Sequence, residues 1–244
     1  MGFLGYILPY GLILQAIAIV HFIWRRPDWY WLFVIIFFGP LGALIYIAVE
    51  VIPDATLLRS SFKVFPRRRR IHELEAVVFD NPSAGNLEEL GALYLDDGSY
   101  SRAKECFDRA IASRSDSTDT FYRRALAEIE LKEWTAAIAD LERVVQADPK
   151  YDFYRALGLL AHAYAQTGQN EKAQAAFARV TAVSTSTEIQ YYYAAFLASQ
   201  KRDAEGREWL QRIQAKKRTM PSFQKRRERL WFRKAAGLSR QIAK

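Results

Sequence analysis

Ala103, Ala137, Ala173 and Gly206 follow one another at spacings of 34, 36 and 33 residues, and apolar residues recur around each at helical intervals. No other feature constrains the fold as tightly. A unit of this length is one helix pair, which cannot bury its apolar face alone, so the units must stack into an array with a continuous core. A small side chain at a fixed place in each unit lets neighbouring helices pack closely. The chain is therefore read as all-α.

The first unit carries Leu90-Gly91, Tyr94, Gly98, Tyr100, Ala103, Phe107 and Ala110; one period later come Ala125, Trp134, Ala137, Leu141, Val144 and Pro149. A third unit, displaced by two extra residues after Lys150, carries Leu160-Ala161, Tyr164, Gly168, Ala173, Phe177 and Val180, and a weaker fourth carries Tyr193-Ala194, Leu197, Gly206, Leu210 and Ile213. This pattern resembles the tetratricopeptide repeat over residues 84–220, with units at 84–117, 118–151, 154–187 and 187–220. Glu128 stands where the second unit would have tyrosine, and the fourth unit lacks an ideal small pair.

The resemblance implies an α-solenoid of tetratricopeptide-type helix pairs in which the first helix of each pair lines a concave groove. The groove positions fall at Glu88 and Ala92, Tyr122 and Leu126, Gly158 and His162, and Tyr191 and Ala195. Such a surface, aromatic and apolar with few polar groups, suits a helix or an extended peptide, so a protein partner is expected. The lysine and asparagine set by which chaperone-binding members clamp a C-terminal carboxylate is missing. Of the three consecutive tyrosines Tyr191, Tyr192 and Tyr193, at least one ring is expected to face outward. Cys106 is the one cysteine, which excludes an intrachain disulfide, and beside Phe107 it reads as an inert packing residue.

Both ends of the array need cover. Leu74-Glu75-Ala76-Val77-Val78, ending at Pro82, matches Leu141-Glu142-Arg143-Val144-Val145, ending at Pro149, so residues 71–82 read as a lone capping helix. Residues 221–244 hold Trp231, Ala235, Leu238 and Ile242 in a helical stripe and have two readings: a C-terminal cap with a solvated basic face, which is favoured because the fourth repeat needs cover, or a helix lying on an anionic membrane surface.

Residues 3–24 form an uncharged run of 22 residues and residues 29–49 a second of 21. Roughly 20 apolar residues span a bilayer core, so residues 1–52 are expected to form a transmembrane helical hairpin. Its tip is Arg25-Arg26-Pro27-Asp28, flanked by Trp24, Trp29, Tyr30 and Trp31. Within the hairpin, Gln15 is expected to bond across, His21 to reach the interface, Gly39-Pro40 to loosen or kink the second helix, and Gly42 to admit the first closely. The segments Arg25-Arg26-Pro27-Asp28-Trp29 and Phe38-Gly39-Pro40-Leu41-Gly42-Ala43-Leu44-Ile45-Tyr46 resemble the two-helix N-terminal region of cardiolipin synthases and related phospholipase D-like proteins. That resemblance implies an anchor and not chemistry. The catalytic His-x-Lys-x4-Asp signature of those enzymes follows none of His21, His72 and His162.

The linker at 53–70 ends in Arg67, Arg68, Arg69 and Arg70, expected to touch anionic headgroups. With Arg59 and Lys63 they outnumber the two arginines of the tip, which places the array on the cytoplasmic side of an integral membrane protein, the inner membrane if the chain is bacterial. The net charge of +8 is concentrated at residues 216–244, where eleven basic residues face Glu228 alone. An anionic surface or partner at that end is expected, and nucleic acid is not. No metal-ligand cluster, nucleophile and base pair or phosphate-cradling loop appears in the sequence, so neither catalysis nor a cofactor is expected. The expected role is a membrane-anchored interaction scaffold; the alternative is an accessory subunit of a lipid-handling enzyme engaged through the hairpin.

Overall fold

The computed structural model describes residues 4–25, 29–51, 64–113 and 116–242 and divides into two compact units, Met1–Arg69 and Arg70–Lys244. Three residues of the hairpin tip (26–28) and the linker as far as residue 63 lie outside the described residues.

The first unit contains α1 (Leu4–Arg25), α2 (Tyr30–Phe37) and α3 (Gly39–Tyr46), the last running into a π-helical turn at Ile47–Val51. Ala18, Trp31, Ile35, Ala43 and Tyr46 form its interior. The second expected span is not one helix. Phe38 leaves helical geometry and Gly39 takes φ of 55°, a left-handed conformation that glycine adopts without steric cost, just before Pro40. The chain then turns so tightly that a Cβ on Gly42 would lie 1.9 Å from the Val34 carbonyl oxygen. Gly42 therefore serves the junction of α2 with α3, and the close approach of α1 belongs to Gly11, packed on the Pro40 ring. Gln15 Nε2 donates to the Ile35 carbonyl at 3.0 Å, across the pair as expected. His21 does not reach for an interface; its Nδ1 lies 2.8 Å from the Tyr46 hydroxyl. Among the described residues no helix is long and apolar enough to cross a membrane, so two full spans over 3–24 and 29–49 are not supported.

α4 (Val64–Asp80) crosses the division between the units, and the second unit continues from it as four helix pairs: α5 (Ala84–Asp97) with α6 (Tyr100–Ala112), α7 (Thr118–Glu130) with α8 (Trp134–Ala147), α9 (Arg155–Gln166) with α10 (Asn170–Val183), and α11 (Thr187–Ser199) with α12 (Asp203–Thr219). Two further helices close the chain, α13 (Ser222–Arg227) and α14 (Arg229–Ile242). Ala103, Ala125, Ala137, Ala161, Ala173 and Ala194 are fully buried where helices cross, and Phe107, Leu141 and Phe177 fill the spaces beside them.

The turn inside each pair is built the same way. Gly98, Lys132, Gly168 and Lys201 each sit in the left-handed region, at φ of 79°, 62°, 73° and 60°. The following residue donates its N–H back to a carbonyl in the last turn of the preceding helix: Ser99 to Tyr94, Glu133 to Glu128, Gln169 to Tyr164 and Arg202 to Leu197, at 2.8–2.9 Å. That is the 6→1 bond of a Schellman cap, which satisfies a carbonyl the helix end leaves open. Glycine fits this place at no cost, so Lys132 and Lys201 are paid for by the rest of the cap.

The ends of the array are covered. Ile71, Leu74 and Val78 of α4 are buried with Leu87, Leu90 and Tyr94 of α5 and Phe107 of α6. The Tyr94 hydroxyl donates to Glu75 of α4, and Tyr164 donates to Glu142 of α8 at 2.5 Å, so each tyrosine ties its own repeat to the preceding helix. At the other end Phe232 and Ala235 of α14 close over Ala194, Leu210 and Ile213. The buried ring is Phe232; Trp231, the expected start of the stripe, is half-buried to one side.

Candidate functional site

First helices of adjacent repeats approach one another directly, α5 with α7 and α9 with α11, which puts the first helices on the inner side of the array. Glu88, Tyr122, Leu126, His162 and Tyr191 all lie on these helices. They do not form one continuous open strip. Glu88 is half-buried and accepts a bond from the Thr120 hydroxyl at 2.6 Å. Leu126 is half-buried against the central core.

Tyr122 is buried and tied into a polar network at the start of the first helices. Its hydroxyl donates to Asp152 Oδ2 at 2.5 Å and accepts from Arg155 Nη1 at 3.3 Å, while the same Nη1 lies 3.6 Å from Asp152 Oδ2. Arg155 also grips Glu188 with Nε at 2.8 Å and Nη2 at 3.3 Å, linking α9 to α11 with a two-pronged, charge-assisted contact. Tyr151 donates to Asp119 at 2.7 Å and sets its ring edge-on to Tyr122, centroids 5.0 Å apart. Burial and the bond to Asp152 push the Tyr122 hydroxyl well above the usual phenol range, so it stays a donor at any physiological pH.

This network rests on the two extra residues after Lys150. Asp152, Phe153 and Tyr154 take φ of 47°, 53° and 66°, three consecutive left-handed residues without a glycine. Each costs about 1–2 kcal/mol, a strain that persists only where surrounding contacts fix it. The Tyr122 and Arg155 contacts to Asp152 are those fixings. The turn leaves Phe153 91% exposed. The insertion is visible in the sequence, whereas no motif marks Asp119, Tyr151, Asp152, Arg155 or Glu188.

The His162 side of the face is aromatic. Its ring stacks on Tyr192 at 3.8 Å and meets Trp134 edge-on at 5.4 Å. Burial first, then the charge of Lys234, lowers its pKa to about 4, so the imidazole is neutral. Trp231 of α14 lies against both Tyr191 and Tyr192, with centroids 5.7 and 5.2 Å apart, and the Lys234 ammonium stands 4.4 Å from the Trp231 ring centre. Contrary to the expectation for the tyrosine run, none of the three rings is exposed: Tyr193 is buried, and Tyr191 and Tyr192 are half-covered. The capping helix therefore overlies Tyr191, the last groove position.

Where the second repeat has Glu128 for tyrosine, the environment changes to match. Glu128 is 2% exposed, and its Oε2 has no hydrogen-bond partner. Arg124 is 3.9 Å from it and spans Asp108 and Asp140 at 2.7 Å. Arg67, Arg68, Arg69 and Arg70 occupy α4; Arg70 pairs with Glu89 of α5 at 2.7 Å, which gives it a role within the array. Among the described residues no three His, Cys, Asp or Glu side chains are grouped to hold a metal ion.

Stacked helix pairs with an inner face of first helices define an interaction solenoid. The chain belongs to the tetratricopeptide-repeat family: the model of that repeat matches residues 88–152 and 159–221, and a second model of it matches 128–185. The matches begin at residue 88, so the resemblance of the first fifty residues to cardiolipin synthases finds no support there. Among solved structures the fold is shared with YrrB, described as a TPR protein with an unusual peptide-binding site. It is 22% identical with a TM-score of 0.54, over 68% of this chain and 84% of that one. MamA of Desulfovibrio magneticus RS-1 is 20% identical with a TM-score of 0.59, over 68% and 94% of the two chains. PilF of Pseudomonas aeruginosa is 17% identical with a TM-score of 0.53, over 77% and 84%. At these identities the likeness is one of fold. No curated protein sequence matches the chain.

Proposed function

We propose that the protein is a membrane-held interaction scaffold whose inner face, from Glu88 through Tyr122 and Leu126 to His162, takes a segment of a partner protein. The observation that carries this is the strained turn Asp152–Tyr154, held by Tyr122 and Arg155 at the edge of that face while it presents Phe153 to solvent. Backbone strain kept at a turn that exposes an aromatic ring is a reason to look for a binding role. The peptide-binding site described for YrrB, which shares the fold, supports the reading. Leu126→Glu would place a charge on the floor of the face. It is expected to abolish co-purification of the partner while leaving the helical circular dichroism spectrum unchanged. Co-purification that survives the substitution would remove the groove from the account.

The anchoring rests on which side chains the first unit turns outward, not on the length of any one helix. Leu12, Ile13, Ile17, Val20, Ile23, Phe33, Ile36 and Phe37 are exposed, while Gln15 and His21 turn inward to bond across the pair. That is the arrangement of a helix pair solvated by lipid, where polar groups are satisfied internally. The basic residues that follow favour the cytoplasmic side for the array. Sodium carbonate washing of membranes is expected to leave the full chain in the pellet; release into the supernatant would contradict embedding. Association with a lipid-handling enzyme through the same unit remains the second reading, supported by its apolar exterior alone.

A further inference from the structure

A cleft of about 420 Å³ opens between the C-terminal half of α12, α13, and the first and middle turns of α14, within the volume range of small-molecule sites. Ile213, Phe232 and Ala235 form its apolar floor, and Lys217, Arg218 and Lys225 stand around it. Among the described residues no carboxylate forms an ion pair with these three cations. The one acidic residue after Glu208 is Glu228, and it is engaged by the Thr187 hydroxyl. Lys217 and Arg218 are exposed, with Lys217 Nζ 5.6 Å from the centre of the Phe232 ring. Lys225 reaches a backbone oxygen, that of Arg218, at the long distance of 3.5 Å.

We propose that this cleft binds an anionic phospholipid, its phosphate among Lys217, Arg218 and Lys225 and its glycerol and first acyl carbons on Ile213 and Phe232. Charge complementarity requires an anion, and the buried apolar floor requires that the anion carry a hydrocarbon part. An acidic peptide would meet the first requirement. The lipid is favoured because Phe223 of α13 and Leu230 of α14 are 67% and 53% exposed and stand in the sequence among Lys225, Arg226, Arg227 and Arg229. Exposed apolar side chains interleaved with basic ones are the composition of a surface that enters the headgroup layer. The membrane-held reading enters only as the source of the lipid.

The test is native mass spectrometry of the full chain in a non-ionic detergent, with phosphatidylglycerol and phosphatidylcholine offered at equal concentration. Preferential retention of phosphatidylglycerol is expected. The triple variant Lys217→Gln, Arg218→Gln, Lys225→Gln should weaken it by about tenfold or more, since each cation contributes to headgroup attraction. Ala236→Trp fills the cleft with the charge intact and should weaken it comparably, with the thermal unfolding midpoint near that of the parent. Equal retention of the two lipids, or undiminished phosphatidylglycerol binding by Ala236→Trp, would overturn the site. So would a polyglutamate peptide that binds more tightly than the lipid, since the occupant would then be an acidic peptide. The readout is made in detergent, so the site can fail while carbonate washing still finds the chain embedded, and the reverse.

Discussion

At the scale of single residues, two buried ionisable groups pull stability in opposite directions with pH. Burial, and then the charge of Asp140, raises the Glu128 carboxyl to about 8. A carboxyl that holds its proton more tightly folded than unfolded gives its full contribution at low pH and loses it as pH rises through that value. Glu128→Gln keeps the shape and removes the slope. Urea unfolding should show the variant about 1–3 kcal/mol more stable than the parent at pH 8 and alike at pH 5. His162 works the other way: burial and Lys234 depress its pKa from 6.5 to about 4, so its stabilisation is complete above 6.5 and is lost as pH falls through 4. His162→Phe preserves the stack between Trp134 and Tyr192, and its melting temperature should fall less than the parent's between pH 6.5 and 4. A third residue effect lies in the turns. Lys201→Gly relieves a left-handed lysine and should stabilise the array by about 1 kcal/mol in chemical unfolding; no gain would mean that the lysine side chain contributes to the cap. These features were only partly legible in the sequence. The tyrosine position occupied by Glu128 could be read from the register, but its partners come from three helices. The lysine caps escaped notice because lysine, unlike Gly98 and Gly168, carries no signature of left-handed backbone.

At the scale of elements, the array depends on its covers. Phe232 of α14 is buried against Leu210 and Ile213, so Phe232→Ala should cost about 3–5 kcal/mol locally. Hydrogen exchange should show it as faster opening of α11 and α12 with α5 and α6 unchanged, because each repeat contacts only its neighbours. Exchange that quickens evenly along the array would mean that the repeats unfold as one unit. The helix pairs were legible because small residues must recur wherever helices cross. The cap was legible as a stripe, but whether Trp231 or Phe232 enters the core depends on the approach angle of α14, which periodicity does not fix. Gly39-Pro40 predicts a loosened or kinked helix, and the structure shows the kink as a full interruption at Phe38–Gly39. Hydropathy counts apolar side chains and is blind to a glycine at φ of 55°.

At the scale of the whole molecule, two units of opposite surface chemistry share one chain: an apolar-faced helical unit and a repeat array with charged ends. The alanine spacing made the array plain from sequence, whereas its binding face was legible only as positions. The polar network around Asp152 arises from residues of four segments that no spacing connects, and the covering of Tyr191 by Trp231 depends on a helix outside the repeats. The central claim is that the inner face holds a protein partner at a membrane. It is tested most directly by a photo-crosslinking amino acid placed at Leu126 in the full chain, irradiated in native membranes beside the same group at the exposed Arg179 of α10. The account predicts a discrete adduct from position 126, absent from position 179. No adduct above background at 126, or the same adducts from both positions, would contradict it.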